Sequence, residues 1–187
     1  GGVDANPPSL PATPPVSILI PCHNEADNIR DTIAYCLQQQ YPDFDIIAIN
    51  DGSRDNTLDI LLELAAIHPN LRVINLATNQ GKAVGLRTAS LLSASEYLLC
   101  IDGDALLSPD AISWMVRHFL EHPEVGAVTG NSEGPTCTAC AGAHSVNCCA
   151  TASHMASGEA GVMANTSGSR QRIGKRGICA AKGSVSR

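Results

Sequence analysis

Short apolar runs alternate along most of this chain with stretches whose apolar residues recur every three or four positions. Val16–Ile20, Asp45–Asn50, Leu71–Leu76, Tyr97–Ile101 and Val125–Thr129 read as strands. Helical spacing follows each of the first four. Ile29, Ile33, Cys36 and Leu37 form the first stripe, and Leu58, Leu61, Leu62 and Ala65 share a face of the second. A third helix is expected from near Lys82 to about Ser93, and a fourth from Pro109 to about Glu121. Ser108-Pro109-Asp110 opens that fourth helix, with Ser as N-cap and Pro at the first helical position. Tyr97–Ile101 is apolar on both faces, as an interior strand of a parallel sheet must be. Strands and helices alternating at this length predict right-handed βαβ units: an α/β, Rossmann-like, mostly parallel sheet with helices on both faces.

The flanks differ. Residues 1–15 are rich in Pro, lack periodicity and read as an extended linker. Beyond Asn131 the pattern stops: residues 132–187 are dominated by Ala, Gly, Ser, Thr and Cys and contain no Leu, Phe, Tyr or Trp. So little large apolar surface cannot offset the entropy of ordering, so a disordered C-terminal tail is expected. Charge divides at the same place. Residues 1–131 carry 6 basic and 16 acidic side chains, residues 132–187 carry 6 and 2, and the whole chain is −6. A frameshift, a splice to unrelated sequence or a misassembled fragment would produce such a break. Gly1 likewise reads as a fragment edge or a processed end. No apolar run is long enough to span a bilayer, so a soluble chain is expected. Cys22, Cys36 and Cys100 lie apart at mostly apolar positions, as reduced thiols do, while five of the eight cysteines fall in the tail.

Candidate chemistry sits in the loops after the strands. Pro21-Cys22-His23-Asn24-Glu25, Asn50-Asp51-Gly52-Ser53 and Asp102-Gly103-Asp104 follow the first, second and fourth strands, and a doubly wound sheet brings all three to one edge. Asp102 and Asp104 repel each other unless a cation joins them. Mg²⁺ or Mn²⁺, held by one or two carboxylates plus substrate phosphates, suits such a pair. Turn chemistry accounts for the same Asp and Gly residues without a metal. Asn79-Gln80-Gly81-Lys82-Ala83 sets an ammonium at a helix N-terminus, a place for a phosphate oxygen, although it lacks the spacing of a P-loop. Adjacent Cys22 and His23 suggest a nucleophile pair, but no orienting third residue is evident. Convergence of the four loops favours a nucleoside diphosphate carrying a leaving group, held with a metal.

These four motifs, in this order, resemble family 2 glycosyltransferases of the GT-A fold, over about Val16 to Asn131. The resemblance, strongest to bacterial polysaccharide synthases, implies UDP-N-acetylglucosamine (UDP-GlcNAc) as donor, a growing β-linked glycan as acceptor, inversion at the anomeric carbon, and Mg²⁺ or Mn²⁺ as cofactor. It implies that Asp51 hydrogen-bonds the uracil and that Pro21, Asn24 and Glu25 line the nucleoside pocket. Lys82 would sit near the diphosphate, Asp102 near the ribose or metal, and Asp104 on the metal. It also implies membrane subunits as partners, no nucleic acid, and the cytoplasmic face of the bacterial plasma membrane.

Two family motifs are absent from the 187 residues: the Thr-Glu-Asp whose Asp is the general base, and a Gln-x-x-Arg-Trp that holds the product end. No catalytic base is therefore assigned, and the chain reads as the donor-binding portion, inactive alone. A noncatalytic or decayed nucleotide-binding module is the alternative. In the tail, Cys137, Cys140, His144 and Cys148 (or Cys149) approach zinc-knuckle spacing without the aromatics that such modules use to stack bases. The basic Arg170–Arg176 cluster reads as solvated charge.

Overall fold

The computed structural model describes residues 9–122, together with the backbone of strands at 127–130 and 178–182. The strands are β1 (Val16–Cys22), β2 (Phe44–Asp51), β3 (Leu71–Leu76), β4 (Tyr97–Ile101), β5 (Ala127–Gly130) and β6 (Ile178–Lys182). Between them lie α1 (Ile29–Leu37), α2 (Thr57–Ile67), α3 (Lys82–Leu92) and α4 (Ala111–Glu121). The strand order is β3-β2-β1-β4-β6-β5. β1 pairs in parallel with β2 and β4, and β2 with β3. The chain steps outward from β1 through β2 to β3, then crosses back to lay β4 on the other side of β1. That reversal makes a switch point between β1 and β4, where open sheets hold ligands beyond the carboxyl ends of their strands.

Alternate residues of each interior strand face opposite layers. Ile18, Ile20, Ile46, Ala48, Leu99 and Ile101 pack with Ile29, Ile33 and Cys36 of α1, Ile60 and Leu61 of α2, and Ile112, Met115, Val116 and Phe119 of α4. Leu19, Ile47, Ile49 and Leu98 face the other way, onto Leu86 and Ala89 of α3. Helices thus cover both faces, three on one and α3 on the other. Tyr97 and Phe119 stack with centroids 5.0 Å apart, tying α4 to β4. Cys22, Cys36 and Cys100 are free thiols; Cys22 and Cys36 are buried, and Cys100 is partly so.

Three elements depart from the sequence reading. First, α2 turns its Thr57, Ile60 and Leu61 inward and leaves Leu62 half exposed. A leucine-rich helix offers two overlapping apolar stripes, and packing against β2 and β3 chooses between them. Second, α4 begins at Ala111, not Pro109. The loop that follows α1 claims the groups that would start the helix earlier. Gln40 donates its amide to the Pro109 carbonyl at 2.7 Å, and Gln39 Nε2 donates to the Ser108 carbonyl at 2.6 Å. Gln39 Oε1 in turn accepts the Ile112 amide at 3.1 Å, a cap supplied from the loop after α1. Third, residues 178–182, expected within a disordered tail, form β6, antiparallel between β4 and β5. Ile-Cys-Ala-Ala-Lys has no alternating pattern; its order comes from backbone ladders on both sides. β5 therefore joins the sheet through β6 and not directly beside β4. The proposed zinc-knuckle residues and the Arg170–Arg176 cluster lie outside the described residues.

Candidate active site

The sheet's switch point opens into a cleft of about 610 Å³. Its walls include Pro21, His23 and Glu25 from the β1–α1 loop and Asp51 from the end of β2. Asn79, Gly81 and Lys82 come from the start of α3, and Asp102, Gly103 and Asp104 follow β4. Four loops spread from Pro21 to Asp104 in sequence thus share one concavity, as the topology requires.

Asp51 stands at the seam between two of these loops. Its Oδ1 accepts the Gln80 amide at 2.7 Å and its Oδ2 the Gly81 amide at 3.0 Å. Each carboxylate oxygen keeps further acceptor capacity toward the cleft. The approach of the loops depends on Gly52. Its φ is +62°, and a Cβ there would lie 2.3 Å from the Asn79 nitrogen. Only glycine tolerates both conditions.

Lys82, the first residue of α3, reaches across to form an ion pair with Asp102. The ammonium is half exposed while Asp102 is more enclosed. The N-terminus of α3, with its unpaired amides and positive dipole end, opens beside this pair. Asp104 lies two residues beyond, past a turn closed by the Ala105 amide donating to the Asp102 carbonyl at 3.0 Å. Glu25 completes an acidic group. Burial, and then the charges of Asp104, Asp102 and Asp55, push its carboxyl above the usual range against the pull of an Asn28 hydrogen bond. Among the described residues no three His, Cys, Asp or Glu side chains are placed to hold a metal ion by themselves.

Pro21, Glu25, Asp51, Lys82, Asp102 and Asp104 line the cleft together. Asn24 is placed differently. At φ 54° it turns its side chain back to the β2–α2 loop, where its Oδ1 accepts the Arg54 amide at 2.8 Å and its own amide donates to Ser53 Oγ at 3.0 Å. Asn and Asp tolerate this left-handed conformation better than other side chains do, which suits Asn24 to joining the loops. Cys22 and His23 do not make a nucleophile pair. The Cys22 thiol donates to the Ile20 carbonyl, and burial, Glu25 and Cys36 together push its pKa far up. His23 donates from Nδ1 to the Asp51 carbonyl at 2.8 Å, leaving Nε2 to accept from the Asn24 and Asn79 amides. Sequence reading gave no role to Asn79 or Gly103 as wall residues, or to Thr32 and Thr57, whose hydroxyls hold the loops from behind. A threonine inside the apolar stripe of α1 was the available signal for Thr32.

A profile of the family described as "Glycosyl transferase family 2" matches residues 17–137, a segment that contains all four loops and runs past Asn131. The chain belongs to glycosyl transferase family 2. It is 39% identical over 116 residues to a poly-beta-1,6-N-acetyl-D-glucosamine synthase of Staphylococcus epidermidis. It is 35% identical over the same length to the enzyme of that name from Staphylococcus aureus MW2. Each match covers 62% of this chain and 28% of the relative. The chain thus spans little more than a quarter of the curated relatives it matches. Among solved structures it resembles the mannosyltransferase PcManGT of Pyrobaculum calidifontis, in complex with GDP-Man and Mn²⁺. The TM-score is 0.59 at 28% identity, over 68% of this chain and 38% of that one. It also resembles residues 1–349 of Staphylococcus aureus TarS in complex with UDP-GlcNAc, with a TM-score of 0.53 at 25% identity, over 58% and 32% of the two chains. The sheet of this family 2 member accordingly has the GT-A, Rossmann-like fold of those glycosyltransferases.

Proposed function

We propose that this cleft binds UDP-GlcNAc together with Mg²⁺ or Mn²⁺. We further propose that the whole protein transfers GlcNAc from it, with inversion, to a growing β-linked polysaccharide of the biofilm exopolysaccharide type. The carrying observation is the meeting of Asp51, Lys82, Asp102 and Asp104 on one cleft at the switch point between β1 and β4. The synthase relatives and the UDP-GlcNAc complex of TarS support the choice of sugar and nucleotide.

The donor set fits a hard divalent cation. Asp102 and Asp104 offer carboxylate oxygens only, the ligand type such an ion prefers, and would hold it together with substrate phosphates. The GT-A relative solved with Mn²⁺ and GDP-Man supports this assignment. A bound ion there supplies charge neutralisation as the nucleoside diphosphate leaves. The chain's own groups do the rest. Asp51 presents its remaining acceptor capacity to a base N–H. Lys82, moving off Asp102, gives its ammonium to the diphosphate, and the start of α3 adds backbone amides. Pro21 and His23 form a wall against the nucleoside.

The 187 residues carry no Thr-Glu-Asp or Arg-Trp motif, so this chain alone is proposed to hold donor without elongating polymer. General-base assistance is typically worth about 10²–10⁴-fold in rate. We propose for the whole protein the cytoplasmic face of a bacterial plasma membrane, beside membrane-embedded subunits, as its setting. No helix among the described residues is long and apolar enough to cross a membrane itself.

Competition binding tests the substrate class. With labelled UDP bound in Mn²⁺, unlabelled UDP-GlcNAc should displace it at lower concentration than UDP-glucose, and GDP-mannose should fail to displace it. Equal displacement by GDP-mannose would overturn the uridine assignment.

A further inference from the structure

The turn that carries Asp102 and Asp104 is held from behind by one hydroxyl. Thr32, on the buried face of α1, has no solvent exposure, and its Oγ1 donates to the Gly103 carbonyl at 2.9 Å. A helical threonine usually returns its hydroxyl to the carbonyl three or four residues earlier. Here the Asn28 carbonyl receives only the Thr32 backbone amide, at 3.1 Å, while the hydroxyl crosses to a residue 71 positions away. The carbonyl it holds belongs to the peptide plane joining Gly103 to Asp104, so the bond fixes the direction in which Asp104 leaves the turn.

A second side chain packs against the same turn. A Cβ on Gly103 would lie 2.8 Å from Cγ of Glu25, so glycine lets the turn sit directly against that side chain. Glu25 is itself fixed, its amide donating to Thr57 Oγ1 at 2.9 Å. The Asp102–Asp104 turn is therefore in contact with both Thr32 and Glu25. Without such contacts, a glycine between two like charges would sample many arrangements, and cation binding would bear the cost of ordering it.

We propose that Thr32 is a positioning residue: its hydroxyl pre-orders the Asp102–Asp104 turn so that both carboxylates face the cleft before a divalent cation and a diphosphate arrive. This rests on the reading of the cleft as a metal-assisted nucleotide-sugar site. Thr32 touches neither ligand and acts only through Gly103.

Two measurements on the full chain separate this role from general stabilisation. In the first, UDP is titrated calorimetrically with MnCl₂ and with EDTA. Thr32→Val, which keeps the shape and loses the hydroxyl, should weaken Mn²⁺-supported UDP binding about tenfold and leave metal-free binding within twofold. Thr32→Ser, which keeps the hydroxyl, should bind as the parent does. Equal binding by Thr32→Val and the parent, or equal loss with and without metal, would overturn the proposal. If Thr32→Val fails to fold, Thr32→Ala removes the same hydroxyl with less side chain and is held to the same outcomes. In the second, hydrogen exchange is followed at the amides of residues 103–105 without ligand. Exchange should be faster in Thr32→Val than in Thr32→Ser; identical exchange would overturn the proposal. If the parent binds no UDP under any condition, the nucleotide reading fails, and the exchange result still decides whether Thr32 orders the turn.

Discussion

Asp51 accepts the backbone amide of Gly81 at 3.0 Å, and so a carboxylate at the end of β2 shapes the loop that starts α3. The Gln80 amide occupies its other oxygen. One side chain thus forms a wall of the cleft and joins two of its loops. Asp51→Ala strands two amides that now share a negative charge, and should destabilise the fold by about 2–4 kcal/mol. Urea denaturation without nucleotide measures this. An unchanged midpoint would mean that Asp51 contributes only to ligand contacts.

Gly52 governs the same seam. A methyl group there meets the Asn79 nitrogen at 2.3 Å and the Thr78 carbonyl carbon at 2.6 Å, on a backbone with φ +62°. Gly52→Ala should cost at least about 2 kcal/mol, from left-handed strain and displacement of the 78–81 loop together. Thermal melting and UDP titration should both register it. Gly81→Ala, also at positive φ but with open space around it, should cost less.

The legible and illegible parts of this structure follow from what sets each of them. Five strands and four helices could be read because the alternation of buried faces in β1, β2 and β4, and the stripe of Ile29, Ile33 and Cys36 in α1, are local patterns. The loops could be read because a doubly wound sheet brings Asp51, Lys82, Asp102 and Asp104 to one edge by topology alone. The start of α4 could not, because Gln39 and Gln40 from the distant α1–β2 loop decide it. Neither could β6, whose backbone pairs carry it without side-chain periodicity. The place of Asn24 depends on a contact with Arg54 thirty positions away, and Thr32 on one with Gly103 farther still.

Glu25 makes stability depend on pH in a defined direction. Its carboxyl is raised in the folded state, chiefly by burial and then by the neighbouring carboxylates. The native state therefore holds this proton more tightly than the unfolded chain does. Its contribution is full at pH below the ordinary carboxyl value and is lost as pH rises through the raised one. Glu25→Gln should accordingly gain stability relative to the parent between pH 4 and pH 7, measured by urea denaturation in EDTA. A gap between the two that stays constant across this range would contradict the assignment.

The thiols of the core should be inert. Burial pushes Cys36 and Cys100 up to about 12, and Cys22 is raised further still. At pH 8 iodoacetamide should leave all three unmodified in the folded chain and alkylate them in guanidinium, as read by peptide mass spectrometry. Rapid modification of Cys22 in the folded protein would reopen the nucleophile reading of Cys22 and His23.

Calorimetric titration of UDP into the chain, with MnCl₂ and then with EDTA, tests the metal-assisted donor site most directly when Asp104→Ala is measured beside the parent. The parent should bind UDP at least tenfold more tightly with Mn²⁺ than with EDTA, and Asp104→Ala should lose that difference while keeping its fold. Binding that ignores the metal, or an Mn²⁺ effect that survives in Asp104→Ala, would contradict the assignment of the Asp102–Asp104 turn as the metal-holding end of a UDP-sugar site.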